Sequence, residues 1–303
     1  MISCFDIGGS FIRHGFLGAD GNVIDTGRIE TPRTDWQAFV AAIAECAGPG
    51  PGPVSLALAG AFDPRTGLAS VANVPCLHKR TVKNDLEAAL GRPVLITNDA
   101  DAFALAEAVD GTGRGKSVVF GIILGSGVGG GIVIDGRIHK GFGGIAGEWG
   151  HGPVVDPTAG GDIAGLEHYR CGCGRTGCVD AVCSARGLER IHRSLHGKAL
   201  TSREITAAWH GGDTSSTETV ETHTTLLSRV LSVLVNTLGP DIVPVGGGLS
   251  GDAALVDLID EKTRALLLAD YPAPLVVRGR FTGNGGLRGA GIVARQAYGE
   301  VVL

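Results

Sequence analysis

The chain has 303 residues, of which 44% are hydrophobic and 19% are charged, and its net charge at pH 7 is −5. This composition is typical of a folded protein and excludes an intrinsically disordered one. The negative charge argues against a general nucleic-acid or anionic-membrane binder, although a local basic patch is compatible with it. Glycine is in excess, with 50 residues, about 17% of the chain against an average of ~7%. These glycines cluster without a triplet period, which excludes collagen.

The first half of the chain alternates short apolar runs with helical periodicity, and glycine-rich or proline-rich breakers separate them. The runs predict strands at 2–7, 11–17, 23–31, 54–59 and 94–97. The periodic stretches predict helices at 35–46, 82–90 and 99–109. The polar, glycine-rich stretch 111–116 then indicates a lobe boundary.

The second half repeats this pattern. We predict strands at 117–124, 131–134, 242–245 and 274–278, and helices at 179–195, 202–210, 219–238, 253–268 and 285–298. The long irregular stretch 141–175 is typical of a functional or metal-pinned segment. The repeated strand–helix pattern predicts an α/β protein with two similar lobes. We expect a small lobe at 1–116 and a large lobe at 117–285, with a terminal helix at 286–303 that packs back on the small lobe.

The start of the chain lacks the basic and apolar regions of a signal peptide. The longest apolar run, 117–124, is far shorter than the ~18 residues that span a membrane. We therefore expect a cytoplasmic protein that does not cross a membrane.

Three of the seven cysteines, Cys171, Cys173 and Cys178, lie within eight residues. In a reducing compartment such a group indicates a metal site more than a disulfide framework. With His151, which lies twenty residues upstream, they make up the Cys₃His ligand set of a tetrahedral zinc site. Reduced core cysteines and a structural histidine are the alternative. A site closed by four protein ligands is structural, so this zinc would hold the segment that carries Glu148.

Two glycine clusters lie between predicted strands. The first is Asp6-Ile7-Gly8-Gly9-Ser10, which is neither a Walker loop nor a dinucleotide fingerprint because no helix follows it. A simple tight turn is one interpretation, and a turn whose backbone N–H groups bind phosphate is the other. The second cluster, 125–131, favours the latter, since two such turns with small hydroxyls can bind the phosphates of a nucleotide. Asp6 would then hold Mg²⁺, directly or through water.

Asn98 and Asp99 close a predicted buried strand and open a helix. Helix capping is one interpretation, because Asn and Asp are preferred there. The other is a general base at the carboxyl end of a strand, where open α/β sheets bind ligands. Phosphoryl transfer to an alcohol needs such a carboxylate to accept the hydroxyl proton. The two roles are compatible.

Taken in order, five motifs resemble those of the ROK family (repressors, open reading frames and kinases), from residue 6 to about residue 291. They are DIGGS at 6–10, ND at 98–99, LGSGVGGG at 124–131, EWGH with CGCGRTGC between 148 and 178, and GGGLS at 246–250. The resemblance implies an actin-like (ribonuclease H-like) α/β fold with two lobes and a sugar in the cleft between them. It also implies transfer of the γ-phosphoryl group of Mg·ATP to a hexose hydroxyl, usually O6.

The resemblance implies a role for each motif residue that matches a family position. Asp99 matches the catalytic base, and His151 matches both a sugar ligand and a zinc ligand. The positions that match sugar contacts are Gly60, Asn73, Asn98, Asp99, Glu148, His151 and Asp180. The positions that match nucleotide contacts are Asp6, Gly8, Gly9, Ser10, Gly125, Ser126, Gly127, Gly247 and Gly248.

The chain departs from the family pattern in three places. In the first glycine motif Ser10 replaces Thr and Phe11 replaces Lys, so a basic residue is missing. Asp180 replaces a Glu, which shortens the carboxylate expected at O1/O2 of the sugar by one methylene. Asp101 stands where Asn is frequent and adds a charge. None of these changes removes the base, so we expect an active kinase.

Several stretches resemble family members that act on N-acetylglucosamine, among them 31–33, 72–75, 98–107, 121–132 and 283–289. The resemblance therefore implies formation of N-acetylglucosamine 6-phosphate. Glucose and N-acetylmannosamine are the alternative substrates, because the catalytic motifs are the same. The family is commonly dimeric, so we expect a homodimer.

Two other classes of protein are alternatives to a kinase. The family includes sugar-sensing repressors, but their helix-turn-helix domain precedes the first glycine motif, which begins here at residue 6. Actin-like assembly or chaperone ATPases share the fold and lack the cysteine segment. We therefore expect small-molecule partners, a sugar and a nucleotide, and no nucleic acid.

Overall fold

The computed structural model describes residues 1–63, 65–71, 73–156, 166–271 and 274–299. The helices are α1 (Trp36–Ala47), α2 (Val82–Leu90), α3 (Asp99–Asp110), α4 (Val179–Cys183), α5 (Ala185–His196), α6 (Ser202–His210), α7 (Thr214–Leu238), α8 (Ala253–Arg264) and α9 (Gly285–Tyr298). The strands are β1 (Ser3–Ile7), β2 (Phe11–Leu17), β3 (Val23–Glu30), β4 (Val54–Leu58), β5 (Ala61–Phe62), β6 (Ala69–Ser70), β7 (Val94–Asn98), β8 (Val118–Leu124), β9 (Val128–Ile134), β10 (Arg137–Ile138), β11 (Val243–Gly246) and β12 (Val276–Arg278).

Two sheets with the same strand order dominate the described residues. The first runs β3-β2-β1-β4-β7 and the second β10-β9-β8-β11-β12. In each, an antiparallel meander continues into two parallel strands. The predicted α/β architecture with two similar halves is confirmed. The carboxyl ends of the parallel strands are where ligands bind in sheets of this kind.

Helices α3 and α9 lie between the two sheets. Helix α3 follows the last strand of the first sheet and packs on β8 and β9 of the second, whereas α9 follows the second sheet and packs on β1 and β4 of the first. The Ser55 hydroxyl on β4 donates a buried hydrogen bond of 2.7 Å to the Ala290 carbonyl of α9. Each of these two helices thus follows one sheet in the chain and packs on the other sheet. The lobe boundaries at 116 and 285 stay predictions.

Glycines permit this close packing. A Cβ on Gly121 of β8 would lie 2.7 Å from the Cβ of Ala104 in α3, and one on Gly131 of β9 would lie 2.7 Å from the Cα of Asp101. The prediction for 125–131 was therefore wrong in part. Only 125–127 form the turn, and Val128–Ile134 is strand. Its glycines give the surface against which α3 packs.

Three predicted helices differ from the structure by more than two residues or by an interruption. The helix expected at 179–195 is interrupted at Ser184, which is extended and caps α5 by accepting the Gly187 N–H at 3.1 Å. Helix α7 starts at Thr214 instead of 219, because Asp213 provides an N-cap that accepts from Ser216 N–H. Helix α8 ends at Arg264 instead of 268.

Parts of some sequence predictions lie outside the described residues: Ala72 in the stretch 72–75, positions 157–165 in the irregular stretch, and the last residues of the terminal helix, 300–303. Within the described ranges, no helix combines the length and the apolar character needed to cross a membrane.

The contact between α3 and α9 can be tested at Gly289, where a Cβ would overlap the Ala102 carbonyl of α3. Alanine is intrinsically better than glycine in a helix by ~1 kcal/mol. We nonetheless expect Gly289→Ala to lower the free energy of unfolding by about 1–3 kcal/mol, because overpacking displaces the helix. Gly251→Ala is the control in denaturant unfolding, since a Cβ there meets open space. Unchanged or higher stability of Gly289→Ala would contradict this packing.

Candidate active site

The junction of β7 and α3 holds the first two candidate polar residues. The Oδ1 atom of Asn98 accepts the backbone N–H groups of Ala100 at 2.8 Å and Asp101 at 3.1 Å, and its Nδ2 donates to the Gly60 carbonyl at 3.0 Å. Asp99 is the first residue of α3, and its Oδ1 also accepts from Ala100 N–H at 2.9 Å. The capping interpretation is therefore confirmed for Asn98. Its side chain keeps one amide hydrogen for a ligand, since Nδ2 carries two.

Asp99 has other carboxylates around it. Burial, with the negative charge of Glu148, raises the pKa of Asp99, and the Ala100 N–H only partly opposes this. Burial and the charge of Asp99 raise the pKa of Asp6 to about 7, against the influence of Arg13. Arg13 lies opposite Asp6 in the antiparallel pairing of β1 with β2. Burial disfavours the charged form of a carboxyl group, so the ionised carboxylate binds a proton strongly.

Asp101 is the fourth member of this carboxylate cluster (Asp6, Asp99, Asp101 and Glu148). It is 6% exposed, and its Oδ1 has no hydrogen-bond partner among the described residues. Burial raises its pKa to about 7; Glu148 and Asp99 add to the rise, and Lys140 opposes it. Lys140 lies two residues after β10, and no feature of the sequence connects it with α3.

The first glycine turn, 8–10, lies at one end of this cluster. Gly8 N–H donates to the Phe11 carbonyl at 3.0 Å, and the Thr31 hydroxyl donates to the Gly8 carbonyl at 2.8 Å. A Cβ on Gly9 would lie 3.0 Å from the Cβ of Asn73, so this candidate sugar residue lies against the turn. Ser10 is exposed at the tip.

A cation also lies beside this turn, although position 11 is not basic. The guanidinium carbon of Arg28 lies 4.6 Å from the centre of the Phe11 ring. Such a contact holds a cation by attraction to the ring face. Arg28 could not be predicted from the sequence, because its place on β3 beside Phe11 follows only from the pairing of β2 with β3.

Asp6 also meets helix α9. A Cβ on Gly286 would lie 2.5 Å from the Cγ of Asp6, so the carboxylate lies against the first turn of α9. The amino end of a helix attracts negative charge. Among the described residues, the Asp6 carboxylate accepts no hydrogen bond, which leaves both oxygens for a ligand.

The second glycine turn, 125–127, is closed by a hydrogen bond of 2.9 Å from Gly125 N–H to the Gly127 carbonyl. Gly247 adjoins it: its φ is +84°, and a Cβ there would lie 2.8 Å from Gly125 N. Ser126 is exposed at the tip, and Gly248 begins a short 3₁₀ turn with open space beside it. The predicted nucleotide residues of this half are thus contiguous.

Asp180 connects this turn with the cysteines. Its Oδ1 accepts from Val128 N–H at 2.8 Å, and its Oδ2 lies 3.6 Å from Cys171 Sγ. Its own N–H donates to the Gly150 carbonyl at 2.9 Å. These contacts lie beside the predicted sugar residues Glu148 and His151. Contact of Asp180 with a sugar stays a prediction.

The four predicted metal ligands come together. Their ligand atoms lie within 4.8 Å of one another. Cys171 Sγ is 3.6 Å from His151 Nδ1, and Cys173 Sγ is 3.6 Å from Cys178 Sγ. In a tetrahedral zinc site with Zn–S bonds of ~2.3 Å, neighbouring sulfurs are about 3.8 Å apart. The set could therefore hold such an ion with little rearrangement.

Hydrogen bonds favour the thiolate form of Cys173, whereas burial raises the pKa of Cys171 to about 12. The Arg175 backbone N–H lowers the pKa of Cys173 to about 6. Gly152 N–H donates to Cys178 Sγ at 3.4 Å. Thiolate is the form in which cysteine binds metal.

The comparisons with known proteins identify the family. The ROK family model matches residues 2–297. The chain belongs to the ROK family, as its motifs indicate.

Curated relatives match over nearly the whole chain. The chain is 34% identical over 299 residues to N-acetyl-D-glucosamine kinase of Pasteurella multocida (strain Pm70), covering 94% of this chain and 96% of the relative. It is 36% identical over 296 residues to the N-acetylgalactosamine kinase AgaK of Shewanella sp. (strain ANA-3), covering 95% and 94%.

A solved structure is also similar. The ROK family glucokinase from Streptomyces griseus in complex with glucose and AMPPNP superposes with a TM-score of 0.78 at 29% identity, covering 97% of this chain and 99% of that one. Together with the two sheets of equal strand order, this likeness confirms the expected actin-like fold.

The carboxylate cluster makes a prediction for stability. The pKa of Asp101 is about 7 in the folded chain against 3.8 ordinarily. Between pH 3.8 and about pH 7, Asp101 keeps its proton in the folded chain and loses it in the unfolded chain. The free energy of unfolding therefore falls as pH rises through this range. Asp101→Asn should therefore raise the free energy of unfolding at pH 8 by a few kcal/mol, at about 1.4 kcal/mol per pKa unit.

The same substitution should have little effect near pH 4, where Asp101 is protonated in the folded chain. Asp270→Asn, at an exposed position, is the control in denaturant unfolding at both pH values. A gain at pH 4 as large as that at pH 8 would show that charge is not the cause.

Proposed function

We propose that this chain is an ATP-dependent hexose kinase that converts N-acetyl-D-glucosamine to N-acetyl-D-glucosamine 6-phosphate. The main support is the carboxylate of Asp99, which begins α3 directly after β7 within a cluster of acidic residues. The relative from Pasteurella multocida is named an N-acetyl-D-glucosamine kinase. The similar structure from Streptomyces griseus contains glucose and an ATP analogue.

In this proposal Asp99 is the general base. It accepts the proton of the sugar C6 hydroxyl as that oxygen attacks the γ-phosphorus, and ADP leaves on the opposite side. Its raised pKa makes the ionised carboxylate a better proton acceptor. The free amide hydrogen of Asn98 and the carboxylate of Glu148 would bind sugar hydroxyls beside it. Closure of the cleft would exclude water and thereby ATP hydrolysis.

The remaining proposed sugar contacts surround these residues. Asn73 lies against the first glycine turn, and Gly60 lies beneath Asn98. His151 has Nδ1 close to Cys171, which leaves Nε2 for a sugar hydroxyl. Asp180 would reach the O1/O2 side of the sugar from its position at the second glycine turn.

We assign the nucleotide to the two glycine turns. Backbone N–H groups and hydroxyls would bind the phosphates, and Gly247 and Gly248 would contact adenosine. The residues concerned are Gly8, Gly9, Ser10, Gly125, Ser126, Gly127, Gly247 and Gly248. Arg28 would supply a positive charge near the first turn.

Asp6 is the proposed Mg²⁺ ligand, directly or through water. Its carboxylate accepts no hydrogen bond among the described residues, and burial beside Asp99 disfavours its charge. A bound cation would relieve this repulsion. When bound with ATP, Mg²⁺ neutralises the charge of the phosphates.

We propose zinc for the ligands His151, Cys171, Cys173 and Cys178. Three sulfurs and one imidazole at tetrahedral separations fit Zn²⁺ better than Mg²⁺, which prefers oxygen. With four protein ligands the ion is structural. It would hold the segment with Glu148 and His151 against the strand that follows the second glycine turn.

Other hexoses compete with N-acetylglucosamine in this proposal. Glucose and N-acetylmannosamine share the catalytic motifs, and a relative of 36% identity is named an N-acetylgalactosamine kinase. An ADP-release assay across these four sugars, glucosamine and fructose distinguishes them, and we expect the highest kcat/KM for N-acetylglucosamine. A preference for glucose or N-acetylgalactosamine would overturn the assigned sugar but not the reaction. Homodimerisation, the lobe boundaries and a cytoplasmic location stay predictions.

The role of Asp99 is tested by Asp99→Asn, which keeps the size of the side chain but cannot accept the hydroxyl proton. Turnover should fall by about 10²–10⁴-fold, while sugar binding measured by calorimetry is retained. Asp257→Asn, on the exposed face of α8, should leave turnover unchanged. A turnover near that of the wild type in Asp99→Asn would exclude it as the base.

The zinc proposal is tested by Cys173→Ser. We expect the purified variant to lose its bound metal and to bind sugar more weakly, because the segment that carries Glu148 loosens. Cys46→Ser, which removes a half-buried thiol outside the cluster, should retain both. Metal analysis that finds no zinc in freshly purified wild-type protein would refute the assignment.

A further inference from the structure

Residues 31–33 form a short segment between β3 and α1 that takes no direct part in the proposed reaction. The segment follows Glu30, the last residue of β3, and precedes Asp35, the N-cap residue of α1. The Asp35 carboxylate accepts two backbone N–H groups from the first turn of α1. Between these ends Pro32 restricts the backbone, because its ring fixes φ. Regular structure therefore holds the segment at both ends.

Thr31 joins this segment to the first glycine turn. It is 4% exposed. Its backbone N–H donates to the Ser10 carbonyl at 3.0 Å, and its hydroxyl donates to the Gly8 carbonyl at 2.8 Å. Both acceptors are carbonyl oxygens, so Thr31 fixes the conformation of the turn without occupying the N–H groups that a phosphate would use.

Arg33 joins the same segment to Asn73, a proposed sugar residue. The Nε atom of Arg33 donates to the Asn73 carbonyl at 3.0 Å. The Arg33 carbonyl in turn accepts the backbone N–H of Cys76 at 3.0 Å. A hydrogen bond from a charged guanidinium is stronger than one between neutral groups. Residues 73–76 are thus held along the segment 31–33.

Asn73 also contacts the first glycine turn directly. A Cβ on Gly9 would lie 3.0 Å from the Cβ of Asn73 and 3.5 Å from its carbonyl oxygen, the atom that accepts from Arg33. The Asn73 residue is exposed, so its side-chain amide is accessible to a ligand. The glycine turn, the segment 31–33 and residues 73–76 therefore all contact one another, and a change in the turn reaches Asn73.

We propose that Thr31 and Arg33 are positioning residues that couple the two substrates. Arg33 holds Asn73 in place for the sugar, and Thr31 connects this position with the conformation of the glycine turn. The inference rests on the proposed function, in which the turn binds the phosphates and Asn73 binds the sugar. Binding of an ATP analogue should therefore tighten the binding of the sugar, and the sugar should tighten the binding of the analogue by the same factor.

Calorimetry and steady-state kinetics with N-acetylglucosamine test the role of Arg33. Arg33→Ala should weaken sugar binding about tenfold, the lower end of what a hydrogen bond to a charged group contributes. The KM for the sugar should rise by a similar factor, while kcat at saturating sugar changes little. Arg33→Lys, which keeps a charged donor, should recover part of the affinity.

Arg92→Ala is the matched control for Arg33→Ala. The Nε atom of Arg92 likewise donates to a backbone carbonyl, that of Gly52, at 2.7 Å. Arg92 precedes β7, at the end of this strand opposite to Asn98. Its loss should leave the affinity for the sugar unchanged, whereas a general loss of stability would affect both variants.

The coupling is tested by measuring the Kd of N-acetylglucosamine with and without saturating AMPPNP. In the wild type AMPPNP should lower this Kd. Thr31→Val removes the hydroxyl that donates to Gly8 and should abolish most of the effect of AMPPNP, with the Kd of the sugar alone little changed. Thr31→Ser keeps the hydroxyl and should keep the effect.

The results that overturn the inference differ from those that overturn the proposed function. Sugar affinity in Arg33→Ala equal to that of the wild type, or an effect of AMPPNP that is absent in the wild type or undiminished in Thr31→Val, overturns the coupling and leaves the kinase reaction in place. A wild-type protein that releases no ADP with any hexose overturns the proposed function itself.

Discussion

Four carboxylates share one small region of this protein, and their mutual repulsion is the constraint on which the rest depends. Asp6, Asp99, Asp101 and Glu148 come from three separate segments, and burial and proximity raise the pKa of the first three. Such an arrangement disfavours folding at neutral pH. Proteins retain such repulsion mainly where a bound cation or a proton-transfer step uses it. In the proposed reaction, Asp6 takes the cation and Asp99 takes the proton.

The fold brings these groups together because two helices, α3 and α9, each follow one sheet and pack on the other. Helix α3 packs on the second sheet and α9 on the first, and Asp99 at the start of α3 and Asp6 against the first turn of α9 lie where these helices begin. Glycines at 121, 131 and 289 make this approach close enough. These glycines have a structural role, whereas those of the two turns are proposed to bind phosphates. Asp180 joins the second turn to Cys171, so the proposed nucleotide residues and the proposed sugar residues share a support.

Local patterns predicted much of this from the sequence. Helices α2, α6 and α9 begin and end where the periodicity places them, and the four predicted metal ligands meet as their spacing suggests. The extent of β9 was misjudged because a glycine run is typical of a turn, and only the neighbouring helix shows why a strand needs it. Lys140 and Arg28 were missed because their partners are distant in sequence. The contacts of Asp180 with Val128 and Cys171 likewise depend on tertiary structure.

The pH dependence of kcat/KM tests the central claim most directly. If Asp99 is the base and the cluster raises its pKa, the rate must fall on the acid side with a midpoint above the ordinary aspartate range, near 3.9. The charge of Glu148 raises the pKa of Asp99, so Glu148→Gln should move this midpoint towards the ordinary value, while the titration of ATP itself stays the same in both proteins. The account predicts that shift. An acid limb that is identical in the wild type and in Glu148→Gln would contradict it.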